Sequence, residues 1–343
     1  MFEVKSTVGE PGHAEAIERF MALNIEQYGA PDRQTFVSLL SDRLDSIEQK
    51  NLHGTALALY EELLATLPPE FVAEGKTPER FKPSAETMDW MHTAVTTLYE
   101  PLLAHVPDKD KFTRQEVQGI LTEILEDEFG KSAADWRVDI EPAKSLNVKT
   151  PEKRIVIPEG TTLISREVLR KRIVHEIGVH VMRLITGEQA DIMPLQTGLD
   201  AYYDTEEGLG MIMEQALNGK YGEAGVGHYF TAGLAFFGGL DFRQTYEYKW
   251  RIGALTDLKA SEALTDSAIT EAKGAAYNAV MRMFRGTDEA PWFKDLAYFN
   301  GSADTWKFLE SIQGDNDRLT LLLMGKVNTS PAHLSTILES RTV

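Results

Sequence analysis

The chain has 343 residues, 43% hydrophobic and 26% charged, with a net charge of −18 and no cysteine. That suits a soluble globular protein of one large or two modest domains, and it excludes disulfides, thiolate nucleophiles and Cys-ligated metal, so any metal site must use His and carboxylates. The acidity argues against nonspecific binding to nucleic acid or an anionic membrane, no apolar run approaches the ~18 residues of a membrane span, and the first thirty residues show no signal-peptide pattern, so a cytoplasmic location is expected.

Residues 14–28, 32–51, 54–67, 84–106 and 113–129 carry apolar side chains at three- and four-residue spacing and predict helices. The breaks fall at Pro31, Pro68-Pro69, the stretch from Gly75 to Pro83, and Pro107. Thr113 followed by Glu116 forms the pattern of a capping box opening its helix. His13, His53, His92 and His105 show no ligand-like pairing. Residues 1–135 therefore read as an N-terminal helical lobe.

Near Trp136 the pattern changes. Residues 136–140 and 154–158 alternate or run apolar with β-branched side chains, as strands do, and a polar segment separates them. Ser165 then offers an N-cap for a helix running through Arg172-Ile173-Val174-His175-Glu176-Ile177-Gly178-Val179-His180. Two histidines with a glutamate directly after the first is the pattern of a zinc hydrolase helix, where the glutamate takes a proton from water on the metal. The familiar spacing is four residues; His175 and His180 are five apart. At about 100° per residue they diverge by roughly 140° on a regular helix, too far to share an ion. Either the motif is accidental or a π-bulge restores a common face, and Gly178 lies where such distortion is cheapest.

Gly187 is expected to end that helix. A loop then leads to Tyr202-Tyr203-Asp204-Thr205-Glu206-Glu207-Gly208-Leu209, with a further helix from Glu206 to Asn218. The acidic pair has two readings. Asp204 and Glu207 suit a helix N-terminus, and a glutamate on a following helix is also the usual third ligand of a two-histidine zinc site.

Taken together, His-Glu-Ile-Gly-Val-His, Thr-Gly-Glu-Gln and Thr-Glu-Glu-Gly-Leu resemble the tyrosine/glutamate carboxypeptidase family, which includes microtubule-associated tyrosine carboxypeptidases and bacterial QEGLA-motif proteins. Its zinc motif has the same H-E-x-x-x-H spacing. The likeness continues in Arg282-Met283-Phe284-Arg285-Gly286, in the run from Phe293 to Gly301, and in Met324-Gly325-Lys326-Val327. It implies one Zn2+ per chain held by His175, His180 and Glu207, with Glu176 as general base and Glu206 orienting a liganding histidine. The departures are Gly210, where alanine is common, and Glu206, where the bacterial proteins have glutamine; neither is expected to touch a ligand.

The expected reaction removes a C-terminal residue, aromatic or acidic, from a peptide or protein. Glu176 takes a proton from the attacking water and passes it to the leaving amine. Tyr298, Tyr229 and His228 are candidate donors to the oxyanion, Tyr298 preferred because it lies in a family motif. Arg282, Arg285 and Lys294 are the cations expected to receive the substrate's terminal carboxylate. The alternatives are a dipeptidyl peptidase III-like or aminopeptidase-type zinc peptidase, and a regulatory protein with a retained zinc site. The expected architecture is α+β and mostly helical: a zinc metallopeptidase core over residues 136–343, its small sheet around 136–158 beside the zinc helix, with the N-terminal helical lobe of residues 1–135 closing one side of the cleft so that the two pack as one catalytic unit.

Overall fold

In the computed structural model, residues 12–71, 79–190 and 193–340 are described. The break expected from Gly75 to Pro83 falls partly outside them, as does part of the loop after Gln189. The described chain is mostly helical with short strands β1 (Lys111–Phe112), β2 (Arg137–Glu141), β3 (Asn147–Lys149), β4 (Arg154–Pro158) and β5 (Ile164–Ser165), so the α+β expectation holds.

Strand β4 is central. It pairs in parallel with β2, from Arg137 opposite Arg154 to Glu141 opposite Pro158, and antiparallel with β3. Ile155, Val156 and Ile157 are all fully buried, which is why β4 reads as a continuous apolar run rather than an alternation. The exposed side of the ladder is tied by Arg154, which reaches Asp139, Glu141 and Glu152. Strand β3 lies inside the segment read as a polar connection; three residues are too few to show a period. β1 and β5 form a separate antiparallel pair.

The helices fall close to their predicted spans, at His13–Tyr28, Arg33–Glu48 and Gly54–Thr66. The segment expected as one helix over 84–106 is two, Ala85–Leu98 and Glu100–Ala104, because Pro101 cannot donate into a continuing helix and sits instead in the first turn of the second. The capping box at Thr113 forms with both of its bonds. That helix ends as α at Ile124 and continues as a π turn, Leu125–Phe129.

Contacts divide the chain into two units, each with its own apolar core: residues 1–80 with 225–299, and residues 81–224 with 300–343. The boundary expected at residue 135 differs from this division. Residues 81–135 share a core with the motif-bearing stretch, since Met91, Val95, Tyr99 and Leu121 belong to the same buried cluster as Ile173 and Ile177. Periodicity identifies each helix but carries no information about which apolar faces meet.

Candidate metal centre

The helix bearing both histidines is not regular. Residues Arg166–Arg172 are α-helical, opened by Ser165, whose side chain accepts from the Val168 N–H. Residues Ile173–Val181 are then π-helical, and the Met182 N–H reaches back five residues to the Ile177 carbonyl. At the wider π pitch a five-residue spacing returns to nearly the same face. The two imidazoles accordingly lie 5.1 Å apart, centroid to centroid. The helix continues past Gly187 to Gln189. Gly187 is there for space: a Cβ would run into the Leu195 backbone.

Tyr99 supports the distorted turn. It is fully buried, its hydroxyl donates to the Gly178 carbonyl at 2.9 Å, and its ring covers Gly178 so closely that a Cβ there would lie 2.6 Å from Tyr99 Cε1. Gly178 thus serves close approach.

Glu207 comes from the helix Tyr202–Leu217, which begins four residues before the predicted start. Its N-cap is Ala201, without a side-chain cap bond, so the capping reading of Asp204 and Glu207 is not realised. Instead one donor atom from each of His175, His180 and Glu207 lies within 4.8 Å of the others. Both imidazoles are tied from behind. His175 Nδ1 bonds Glu214 Oε1 at 2.8 Å, and His180 Nδ1 bonds Glu206 Oε1 at 2.9 Å. A carboxylate only accepts, so each Nδ1 carries a proton and each Nε2 is the nitrogen left to meet an ion. This donor set fits a single divalent metal. A second group, His105, Glu123 and Asp127, also converges, but it is at the surface and His105 Nε2 is engaged with Glu128.

Charges around the triad are strongly coupled. Glu206 is buried, and burial alone would raise its pKa; the guanidinium of Arg183 and the His180 imidazole reverse that and hold it near about 2. Burial would lower His180, yet the Glu206 carboxylate keeps it up at about 9, so an arriving ion has to displace a proton. Arg183 is itself fully buried, donating to Glu206 and to the carbonyls of Gly325 and Val327. Burial raises the Glu176 carboxyl above its ordinary range, against the opposing pull of His175, His180 and Arg172. Arg172 Nη1 stands 3.8 Å from Glu176 and 3.3 Å from Glu214, linking the candidate base to the carboxylate behind His175.

Both sequence departures lie beside the candidate ligands, Glu206 in the orienting position that the resemblance implied and Gly210 unexpectedly. Glu206 holds His180, and a Cβ on Gly210 would lie 2.7 Å from His175 Nε2. Glycines also set the place of the Glu207 helix. Gly208 and Gly301 leave no room for a Cβ, the first against Gly301 and the second against Asp204. The last glycine of the run from Phe293 to Gly301 is therefore a backbone contact with the ligand-bearing helix.

The remaining predicted residues lie in the first unit. Arg282 donates to Asp295 through Nε at 2.7 Å and Nη2 at 3.2 Å, and Arg285 Nη2 adds a third bond at 3.0 Å. Asp295 is 2% exposed, and although burial would raise its pKa, the two arginines hold it below the usual carboxylate range. Tyr298 packs its ring under Arg282, with its hydroxyl 3.5 Å from Nη2. His228 is 5.8 Å from the Tyr298 ring, its pKa lowered by burial and by Arg282. Lys294 is half-buried. Tyr229 is 2% exposed and its hydroxyl accepts the Asp32 N–H at 2.6 Å.

Sequence reading missed Glu214, Arg183, Arg172, Tyr99 and Asp295. Glu214 had a signal, since it lies seven residues after Glu207 and two helical turns return it to the same face. Tyr99 had none, being 79 positions from its partner.

The class defined by fold and site is a mostly helical α+β protein with a two-histidine, one-glutamate candidate metal centre. The model of the microtubule-associated tyrosine carboxypeptidase family matches residues 19–221 and 262–342, most of the chain and all of this centre. The protein belongs to that family, and is thereby a peptidase of carboxypeptidase type. No curated protein and no solved structure matches it. Among the described residues no helix is long and apolar enough to cross a membrane.

Proposed function

We propose that the protein is a zinc-dependent carboxypeptidase that removes one aromatic or acidic residue from the C-terminus of a peptide or protein. The observation that carries this reading is the convergence of His175, His180 and Glu207 within 4.8 Å, made possible by the π turn. When bound, zinc supplies a Lewis acid for the scissile carbonyl and lowers the pKa of water towards roughly 7. His175 and His180 present Nε2 because Glu214 and Glu206 occupy Nδ1. Glu176, next in chain to His175 and 6% exposed, accepts a proton from the attacking water and returns it to the leaving amine. Its burial raises its basicity, which suits both transfers. Glu206 is the positioning partner of His180, and Arg183 keeps it ionised.

Tyr298 is the proposed donor to the oxyanion, and Arg282, Arg285 and Lys294 the cations for the substrate's terminal carboxylate. The family motifs support these roles. Asp295 supports the carboxylate role further, because a buried carboxylate clamping two guanidiniums leaves a net positive, orientationally fixed pair.

The test is mass spectrometry of a mixed peptide library incubated with zinc-loaded protein, with Glu176→Gln as control. Loss of single C-terminal residues, absent in the control, is expected. Trimming from the N-terminus would replace this reading with a dipeptidyl peptidase or aminopeptidase. No cleavage with zinc bound would leave a regulatory protein that keeps its metal.

A further inference from the structure

Cations in this acidic chain are as a rule matched by carboxylates. Arg154, Arg172, Arg183, Arg251, Arg282 and Arg285 each have at least one. A cavity in the second unit brings together two arginines that depart from this pattern. It has a volume of about 310 Å³ and is lined by Arg166, Glu167, Arg170, Leu217 and Asn218. Arg166 and Arg170 are one helical turn apart and so share a face. Burial lowers the pKa of Arg170, and the nearby Arg166 lowers it further.

Neither guanidinium is neutralised from within the cavity. Arg166 meets a carboxylate only through Nη1, 3.4 Å from Asp108, whose side chain is 98% exposed. Its Nε is buried and has no acceptor. The Arg170 side chain makes no ion pair or hydrogen bond among the described residues. The acid in the lining, Glu167, is engaged by Lys171 at 2.7 Å. Asn218 Nδ2 is spent on the Glu214 carbonyl at 2.9 Å.

Two like charges side by side, one with a buried unsatisfied donor, carry an electrostatic and a desolvation cost that an external anion relieves. Planar guanidinium forks bind oxyanions through paired hydrogen bonds, and two of them select a dianion over chloride. We propose that Arg166 and Arg170 form a binding site for a dianionic oxyanion of the phosphate or dicarboxylate class, apart from the metal centre. The walls say what binding does. Arg166 and Arg170 precede the π turn that carries the histidines, while Leu217 and Asn218 end the helix that carries Glu207. An anion held there bridges the two ligand-bearing helices and stabilises the second unit.

The test titrates the full, zinc-loaded chain with inorganic phosphate at constant ionic strength set by chloride. Affinity is read by calorimetry, and the Arg166 Nε–H resonance is followed by 15N NMR. Saturable binding that shifts this resonance is expected, with affinity falling about tenfold or more in both Arg166→Gln and Arg170→Gln, that is about 1.4 kcal/mol each. Phosphate taken up at the metal would be unchanged in both variants, so the difference isolates the cavity. Circular dichroism confirms that each variant is folded; if Arg166→Gln is not, Arg170→Gln and Arg170→Lys carry the test, the latter keeping charge but losing the fork. Binding equal in wild type and Arg170→Gln, or no saturation by phosphate or succinate, would overturn the proposal. A phosphoserine peptide that displaces phosphate identifies the anion as one carried on a protein; failure to displace identifies a free small molecule. This outcome is independent of whether the protein cleaves peptides.

Discussion

The π turn between the histidines is the element on which the candidate centre depends, and Tyr99 is the side chain that holds it. Tyr99→Phe removes one hydroxyl from a fully buried ring and takes a 2.9 Å donor from the Gly178 carbonyl. Depriving a buried acceptor of its partner costs about 1–2 kcal/mol. At this chain size that is a drop in melting temperature of roughly 1–3 °C. Gly178→Ala probes the same contact from the other side. Its new methyl would lie 2.6 Å from Cε1 and 2.9 Å from Cζ of a ring that has nowhere to go, so overpacking of about 1–3 kcal/mol is expected. Because His175 and His180 flank Gly178, this variant should also bind zinc more weakly. Urea denaturation followed by circular dichroism gives the stabilities, and competition with a chromophoric chelator gives the zinc affinities. The reasoning also requires that Gly178→Ala cost less in a Tyr99→Leu background, where the ring is gone. If Gly178→Ala matches the wild type in stability within about 0.5 kcal/mol and in zinc affinity, Tyr99 does not hold the turn.

Arg183→Met breaks a buried ion pair from one side and takes one donor each from Glu206 Oε2, Gly325 O and Val327 O; a loss of about 3–5 kcal/mol is expected in chemical denaturation. Asp204 carries a carboxyl pushed up to about 6, chiefly by burial and then by Asp304, from an ordinary 3.8. Its folded form therefore holds a proton that the unfolded chain has lost, and stability falls as pH rises from about 4 through 6. Asp204→Asn should flatten that stretch of the pH–stability curve and gain about 1–2 kcal/mol at pH 7; an unchanged slope would refute the assignment. Asp295→Asn frees Arg282 and Arg285, so KM for peptides with a free C-terminus should rise roughly tenfold while kcat holds, with amidated peptides unaffected. Chelation should abolish cleavage and lower the melting temperature, with zinc restoring both; a melting temperature indifferent to chelator would argue against a bound metal.

Much of this protein was written in local sequence. The helices of residues 13–66, the capping box at Thr113, the N-cap at Ser165 and strands β2 and β4 each depend on interactions within a few residues, and all were legible. The five-residue spacing of the histidines left a π turn and an accident both open, the resemblance added Glu207, and the fold supplies the π turn that brings the three together. Tertiary structure decided the rest. It grouped residues 81–135 with the motif stretch, because apolar periodicity marks a buried face without naming its partner. It made Ala201 the N-cap of the Glu207 helix and so withdrew Asp204 and Glu207 from the capping role that local sequence allowed, and it kept Gly187 inside a helix because Leu195 leaves no room for a side chain. Tyr99 meets Gly178 and Arg183 meets Val327 across stretches of 79 and 144 residues. No periodicity encodes such contacts; they exist only when the whole core has closed around them.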